Sequence, residues 1–370
     1  MLGHDVDHRL PQRLTRSLAE QRQRPDRERI DAAVEELGKS GLLRGDFIRD
    51  AVTPRGAAPH MFSILVALGR GDLSVARLYE GHVNALQLVA RLGTPEQLAR
   101  AEEAASSGGL LGVWGADDPS SPARITPGEA GYRLSGRKTF ASGADRLALA
   151  LVAAKNANQK TQLVLLDRET FEGRFDSRWW QPMGMQATDS FALKLDDIQI
   201  GANELIGSAG EFEAQPFFGA GAIRFVSAQL GGALAVWDAA RAHLASSGRF
   251  ENPHQAARLG QMVADLEAAF SSVNCAYARV AFAIDWDSPA DQGLALSADS
   301  ARVTVEGASE RIMAHAVRSV GCTGLMDGHQ LAAAARDLMV YLRQPAPDAA
   351  LTRLGTRACA GIYRPAFDES

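Results

Sequence analysis

Twice along its 370 residues the hydrophobic pattern of this chain changes period, and few folds accommodate that. Residues 1–105 place apolar side chains at helical spacing, with Leu14, Leu18, Ile30, Val34 and Leu37 set among many Arg and Glu residues. From Met61 to Val89 the sequence is almost continuously apolar, broken only by Gly69-Arg70-Gly71-Asp72. Helices of that composition are buried on most sides. After Ser106-Ser107-Gly108-Gly109 the period shortens. Tyr132–Leu134, Leu147–Ala153, Thr161–Leu166 and Phe191–Ile200 read as strands separated by turn residues, with Pro127–Gly131 as a clear turn. Residues 106–208 are therefore expected to form a small β-domain.

Beyond residue 209 the helical period returns and persists. Phe225, Leu230, Ala233 and Trp237 mark one helix, and Met262, Leu266, Ala269 and Val273 a second. Val305, Ala308, Ile312, Ala316 and Val320 recur every three or four residues, as a helix with one buried face requires. The expected organisation is helical over 1–105, β over 106–208 and a helical bundle over 209–370.

Charge and cysteine usage exclude several classes of function. The formal net charge of −5 leaves no surplus of basic residues for a phosphate backbone, so nucleic-acid binding is disfavoured. No apolar run approaches the ~20 residues that span a bilayer, and Met1-Leu2-Gly3-His4-Asp5 lacks the features of a signal peptide. Cys275, Cys322 and Cys359 are too few and scattered for a disulfide framework, and each reads as a small buried hydrophobe. His254, His315 and His329 lack metal-ligand spacing, so no metal is expected. These features imply a cytoplasmic protein.

Four local patterns fall in an order that resembles the acyl-CoA dehydrogenase family. Gly131–Phe140 resembles its GYxLxGxKxW hairpin, and Gln181–Gln186 with Leu195–Ile198 resembles its MGxR…FxDVxVP segment. Leu205–Glu211 is similar to the LLGxxGxG exit from the β-domain. Val320–Gly324 followed by Ala335-Arg336-Asp337 is similar to the paired GGxG…RD segment. The resemblance implies an α+β fold of N-terminal helical domain, middle β-barrel domain and C-terminal four-helix bundle. It also implies flavin adenine dinucleotide between the β-domain and the last helices, completed across a homodimer or homotetramer interface.

Carried over residue by residue, Phe140 flanks the isoalloxazine ring and Ser142 hydrogen-bonds near flavin N5, although Ser142-Gly143 also suits a plain turn after a strand. Main-chain groups of Val113, Trp114 and Gly115 touch the pyrimidine ring, and the Trp114 indole equally suits a core position. Arg318, Gly321 and Gly324 approach a neighbouring cofactor's pyrophosphate; a helix C-cap explains the glycines equally well. Arg224 is a candidate anchor for a substrate carbonyl or phosphate.

The family's catalytic Glu has no counterpart. Counting on from Arg336-Asp337 places Pro345 there, and proline cannot be a general base. The alternative position, just before Arg224, holds Ile223. Two substitutes remain, Asp348 and Glu80. The first functional reading is thus a FAD-dependent oxidoreductase acting on the CH–CH group of an acyl thioester, with an atypical base and an electron-transfer flavoprotein as partner. The alternative is a two-component monooxygenase of the same fold, which takes reduced FMN or FAD from a reductase and needs no such base. Phe140-Ala141-Ser142-Gly143 resembles that branch, which tends to carry an active-site His on an N-terminal helix. His82, in the polar run Tyr79-Glu80-Gly81-His82-Val83-Asn84, is the candidate. These polar groups either satisfy one another in the core or face a pocket. A third reading is a flavin-binding homologue without catalysis.

Overall fold

The computed structural model describes residues 9–50, 58–129, 131–214, 217–285, 292–344 and 346–361. Six helices come first: α1 (Leu10–Gln21), α2 (Asp26–Lys39), α3 (Gly45–Asp50), α4 (Ala58–Gly71), α5 (Leu73–Leu92) and α6 (Pro95–Ser106). Their starts are set by local chemistry. Asp72 caps α5 by accepting hydrogen bonds from the Ser74 and Val75 amides at 2.9 and 3.1 Å. Thr94 and Gln97 form a reciprocal capping box at the start of α6.

Next come β1 (Leu110–Trp114), β2 (Arg124–Gly128), β3 (Gly131–Ser135), β4 (Arg137–Ala141), β5 (Leu147–Lys155) and β6 (Thr161–Asp167). After the single turn α7 (Arg168–Phe171) follow β7 (Phe175–Asp176), β8 (Phe191–Lys194), β9 (Ile198–Ile200) and β10 (Leu205–Ile206). Seven strands form one sheet in the order β10-β6-β5-β2-β3-β9, with β1 also paired in parallel to β5. The other three form the sheet β4-β8-β7. The run expected over Phe191–Ile200 is two strands, because Asp197 turns the chain at φ +56°.

Lys138 joins the two sheets. It lies on β4 with 0% exposure, and its ammonium donates to Ala153 O on β5 (2.8 Å), Gly115 O (2.8 Å) and the Asp117 carboxylate (2.6 Å). Three acceptors satisfy all three of its protons, which is the condition for burying such a charge.

The last helices are α8 (Phe217–Ser246), α9 (Pro253–Asp285), α10 (Gln292–Val320), α11 (Gln330–Leu342) and α12 (Pro347–Cys359). Helix α8 packs against α4, α5, α9, α10 and α11, so it is apolar nearly all round. Its segment Phe218–Ser246 has the length and apolarity to cross a membrane, contrary to the sequence expectation, but 78% of its most apolar stretch is buried inside the protein. A Cβ at Gly231 would lie 2.3 Å from Val66 O, and one at Gly69 only 2.2 Å from Ala228 O. Glycine at both crossings lets α4 and α8 touch backbone to backbone, fixing the first helices on the last bundle.

All three cysteines are exposed rather than buried. Small size suits a cysteine to a core position but does not decide which face of a helix it occupies.

Candidate functional site

The β-sheets and the C-terminal helices enclose a cavity of about 1600 Å³. Its β side consists of Val113, Gly115, Ala116 and Phe140, with Trp180, Pro182 and Met183 from the loop before β8. Its helical side includes Met313, Val317 and Arg318 of α10, and Ala335, Met339 and Tyr341 of α11. Arg77 and Glu80 of α5 also line it. Ligand cavities typically measure ~300–1000 Å³, so this one has room for a flavin and a second molecule together.

Strand alternation decides which β1 residues reach it. Val113 and Gly115 face the cavity, whereas the Trp114 side chain points the other way. Trp114 is 1% exposed and packs edge-on against Phe171 and Phe175 at 5.0 and 5.9 Å, with its indole N–H donating to Ser142 O at 3.1 Å. Its indole is a core group. Nothing fills the space where a Cβ at Gly115 would stand, so the main chain there is open to a planar ligand.

Phe140 stands in the cavity wall at φ +53°, a left-handed conformation that non-glycine residues rarely adopt. Trp179 and Trp180 brace its ring edge-on, at centroid distances of 4.8 and 6.0 Å. A strained backbone that holds an aromatic ring against a cavity is the kind of outlier that accompanies binding sites. Ser142, just beyond, is buried, and its hydroxyl lies 2.8 Å from that of Ser190. Ser190 is in turn 2.8 Å from the Thr188 hydroxyl, which donates to Met185 O at 2.7 Å. The terminal carbonyl fixes the direction of this relay. Thr188 donates to the carbonyl, so Ser190 donates to Thr188 and Ser142 to Ser190. The Ser142 oxygen therefore keeps its lone pairs, but Ser142 is not part of the cavity lining.

Glu80 is 3% exposed on the cavity floor. One carboxylate oxygen pairs with Arg77 at 2.5 Å and the other accepts from the Asn84 side-chain amide. Burial pushes its carboxyl above the usual range, opposed by the neighbouring Arg77 and Arg224 guanidiniums. The Asn84 side-chain oxygen accepts from Arg224 Nε on α8, so the four residues form one chain from α5 to α8. Arg224 is 5% exposed and faces a smaller chamber beside the cavity.

His82 sits on another side of α5, 0% exposed and outside the cavity lining. The Leu111 amide donates to Nδ1 at 3.0 Å, so Nε2 carries the proton and donates to Leu43 O at 2.8 Å. Both ring nitrogens are engaged by backbone, and burial pulls the imidazole down to about 4. That geometry is a structural bridge from α5 to β1, and it speaks against a proton shuttle.

Arg318 lines the cavity from the last turn of α10. Gly321 ends that helix at φ +81°, with its amide bonded to Val317 O, and a Cβ at Gly324 would collide with Val320 and Leu331. Both glycines thus have packing or capping reasons, and neither lines the cavity. Asp348 is exposed in the first turn of α12 and is also off the cavity; Pro345 lies outside the described residues.

Sequence reasoning missed Arg77, Tyr341, Trp180 and the Glu310–Arg343 pair, whose N–O distance is 3.0 Å. Arg77, Glu80 and Asn84 follow i, i+3, i+7 spacing, so their shared face was readable; Tyr341 and Arg343 meet the cavity only through bundle packing.

No protein-family model and no curated protein sequence matches the chain. Solved structures do. The dibenzothiophene monooxygenase TdsC from Paenibacillus sp. A11-2, solved with FMN and indole, is similar at TM-score 0.81 and 17% identity, covering 96% of this chain and 98% of that one. The methanesulfinate monooxygenase MsuC from Pseudomonas fluorescens is similar at TM-score 0.78 and 20% identity, over 96% and 98% of the two chains. KijD3, solved with FMN and a dTDP-linked amino sugar, is similar at TM-score 0.75 and 18% identity, over 95% of each. The helix–sheet–bundle arrangement expected from the sequence is thus the α+β fold of acyl-CoA dehydrogenase-like flavoenzymes.

Proposed function

We propose that this chain is a flavin-dependent monooxygenase of the acyl-CoA dehydrogenase-like fold, taking reduced flavin from a separate reductase and oxidising a small organic substrate. The observation that carries this reading over a thioester dehydrogenase is the state of the cavity's carboxylates. Among the described residues lining it, only Glu80 and Glu310 are acidic, and arginine side chains hold both. No free carboxylate stands ready to remove an α-proton. The full-length likeness to flavin-dependent monooxygenases points the same way.

The cavity fits a flavin. Gly115 leaves the β1 main chain open, Phe140 offers a braced aromatic face, and apolar side chains dominate the remaining wall. Arg318, on the cavity wall, would hold the phosphate of FMN, with FAD the longer alternative. When bound, reduced flavin supplies two electrons and activates dioxygen for transfer of one oxygen atom to the substrate. The chain's own residues orient the ring against Phe140 and exclude water through the apolar wall. A cavity built from two sheets and a bundle also suits closure by a second copy in a homodimer or homotetramer.

Anaerobic titration with reduced FMN, oxidised FMN, FAD and an acyl-CoA mixture tests this. Preferential binding of a reduced flavin, with no bleaching of bound oxidised flavin by any thioester, is the expected result. Protein that retains FAD through purification and is bleached by a thioester would establish the dehydrogenase instead. Protein that binds no flavin in either redox state would overturn both readings.

A further inference from the structure

Beside the main cavity lies a second chamber of about 190 Å³. Phe212, Phe218, Phe225 and Val113 line both, so the chamber opens off the cavity past a set of aromatic rings. Its polar lining is unlike that of the cavity. Arg224, Arg91, Arg302, Asn84 and Gln87 line it, and no Asp or Glu does among the described residues.

The charges behind that lining do not balance. Glu80 is the one carboxylate that acts on both Arg77 and Arg224, and Arg77 already holds it at 2.5 Å. Arg224 reaches it only through the Asn84 amide. Two largely buried guanidiniums therefore share one buried carboxylate, leaving a net positive charge in a region of low dielectric. An uncompensated charge there is costly unless an anion joins it.

Two further features keep the space in front of Arg224 available. The Gln87 side-chain nitrogen is buried with no hydrogen-bond partner, so a donor is left over in the chamber wall. Gly221, one turn before Arg224 on α8, has no side chain where a Cβ would lie 3.7 Å from both Arg224 Nη2 and the Asn84 side-chain oxygen. Arg302 pairs with Asp299 and lies 5.3 Å over the Phe225 ring, holding that ring at the boundary between the two spaces.

We propose that this chamber is an oxyanion subsite, in which Arg224, with Gln87, takes the carboxylate, sulfinate or sulfonate end of an organic substrate whose apolar body extends into the main cavity. Its size admits such a head group but not a flavin ring system. The assignment of the anion as substrate rests on the monooxygenase reading; the existence of the subsite does not. A planar guanidinium facing a planar or tetrahedral oxyanion favours two parallel hydrogen bonds, which a neutral isostere cannot match.

Isothermal titration of the full chain with benzoate, benzenesulfinate, benzamide and inorganic phosphate tests it, with reduced FMN titrated in parallel. Arg224→Gln removes the cation. Gly221→Ala fills the space in front of it, and alanine favours the helix, so that variant folds. Benzoate and benzenesulfinate should bind about tenfold or more tighter than benzamide. Both variants should erase most of that preference while leaving the affinity for reduced FMN unchanged. Equal affinity for benzoate and benzamide, or benzoate binding unaltered in both variants, overturns the proposal. So does a loss of reduced-FMN affinity in both variants with benzoate unaffected, which would give Arg224 to the flavin. So would phosphate matching benzoate in the wild type and in Arg224→Gln alike, the mark of unspecific anion binding. Wild type that discriminates the anions yet binds no flavin keeps the subsite and sinks the monooxygenase reading instead.

Discussion

Helix α5 carries two groups of buried polar residues, and they behave in opposite ways. A step of two residues turns a helix by about 200°, so Glu80 and His82 face nearly opposite directions. On one side the His82 ring is closed between Leu111 N and Leu43 O, with nothing left to offer a ligand. On the other, Arg77, Glu80 and Asn84 form a chain that ends on Arg224, borders a cavity and keeps an excess of positive charge. Polar residues in an apolar helix thus signal two different things. A group whose every donor and acceptor meets backbone serves the fold, whereas a group with charge left over is a candidate for binding.

The largest effect that can break this contrast should come from Glu80→Gln. It leaves two guanidiniums without a countercharge, and removing one partner of a buried pair typically costs about 3–5 kcal/mol. Chemical denaturation should show that loss, and an added carboxylate such as benzoate should restore part of it if the chamber takes anions. A change under about 1 kcal/mol would mean that the charges are already well solvated.

His82 should show itself in pH dependence rather than in activity. Its folded-state value of about 4 lies below the unfolded 6.5, so the unfolded chain binds the extra proton. The contribution is fully present above about pH 6.5 and is lost as pH falls toward 4, about 3 kcal/mol in all. His82→Gln, which keeps one donor and one acceptor but does not titrate, should flatten that part of the stability profile and leave flavin binding intact. A profile of unchanged slope, or flavin binding that fails with His82→Gln, would move His82 to the functional side.

The smallest effect sharpens the boundary from the cavity side. Phe140→Gly relieves a left-handed backbone, worth about 1 kcal/mol, while removing the ring that faces the cavity. Stability should stay level or rise as reduced-flavin affinity falls about tenfold. If both fall together, Phe140 is packing rather than binding.

Much of the fold was legible because it rests on periodicity. The α10 stripe of Val305, Ala308, Ile312, Ala316 and Val320 is buried throughout, and the expected runs at residues 132–134, 147–153 and 161–166 are strands β3, β5 and β6. The site was only partly legible. Val113, Gly115, Phe140, Arg318 and Glu80 do meet at one cavity. The sequence could not separate Trp114 from its neighbours, because strand alternation places a side chain only once the sheet's inner face is known. Nor could it tell exposed cysteines from buried ones.

The sequence by itself determined the helix–sheet–helix order, since hydrophobic period is a local property. Only the tertiary structure decided which polar residues close on the backbone and which face empty space. That distinction depends on the close approach of α4 to α8 at Gly69 and Gly231, and of α5 to β1 at His82. Burial and pairing are properties of what surrounds a residue, and the surroundings come from segments far away in the chain.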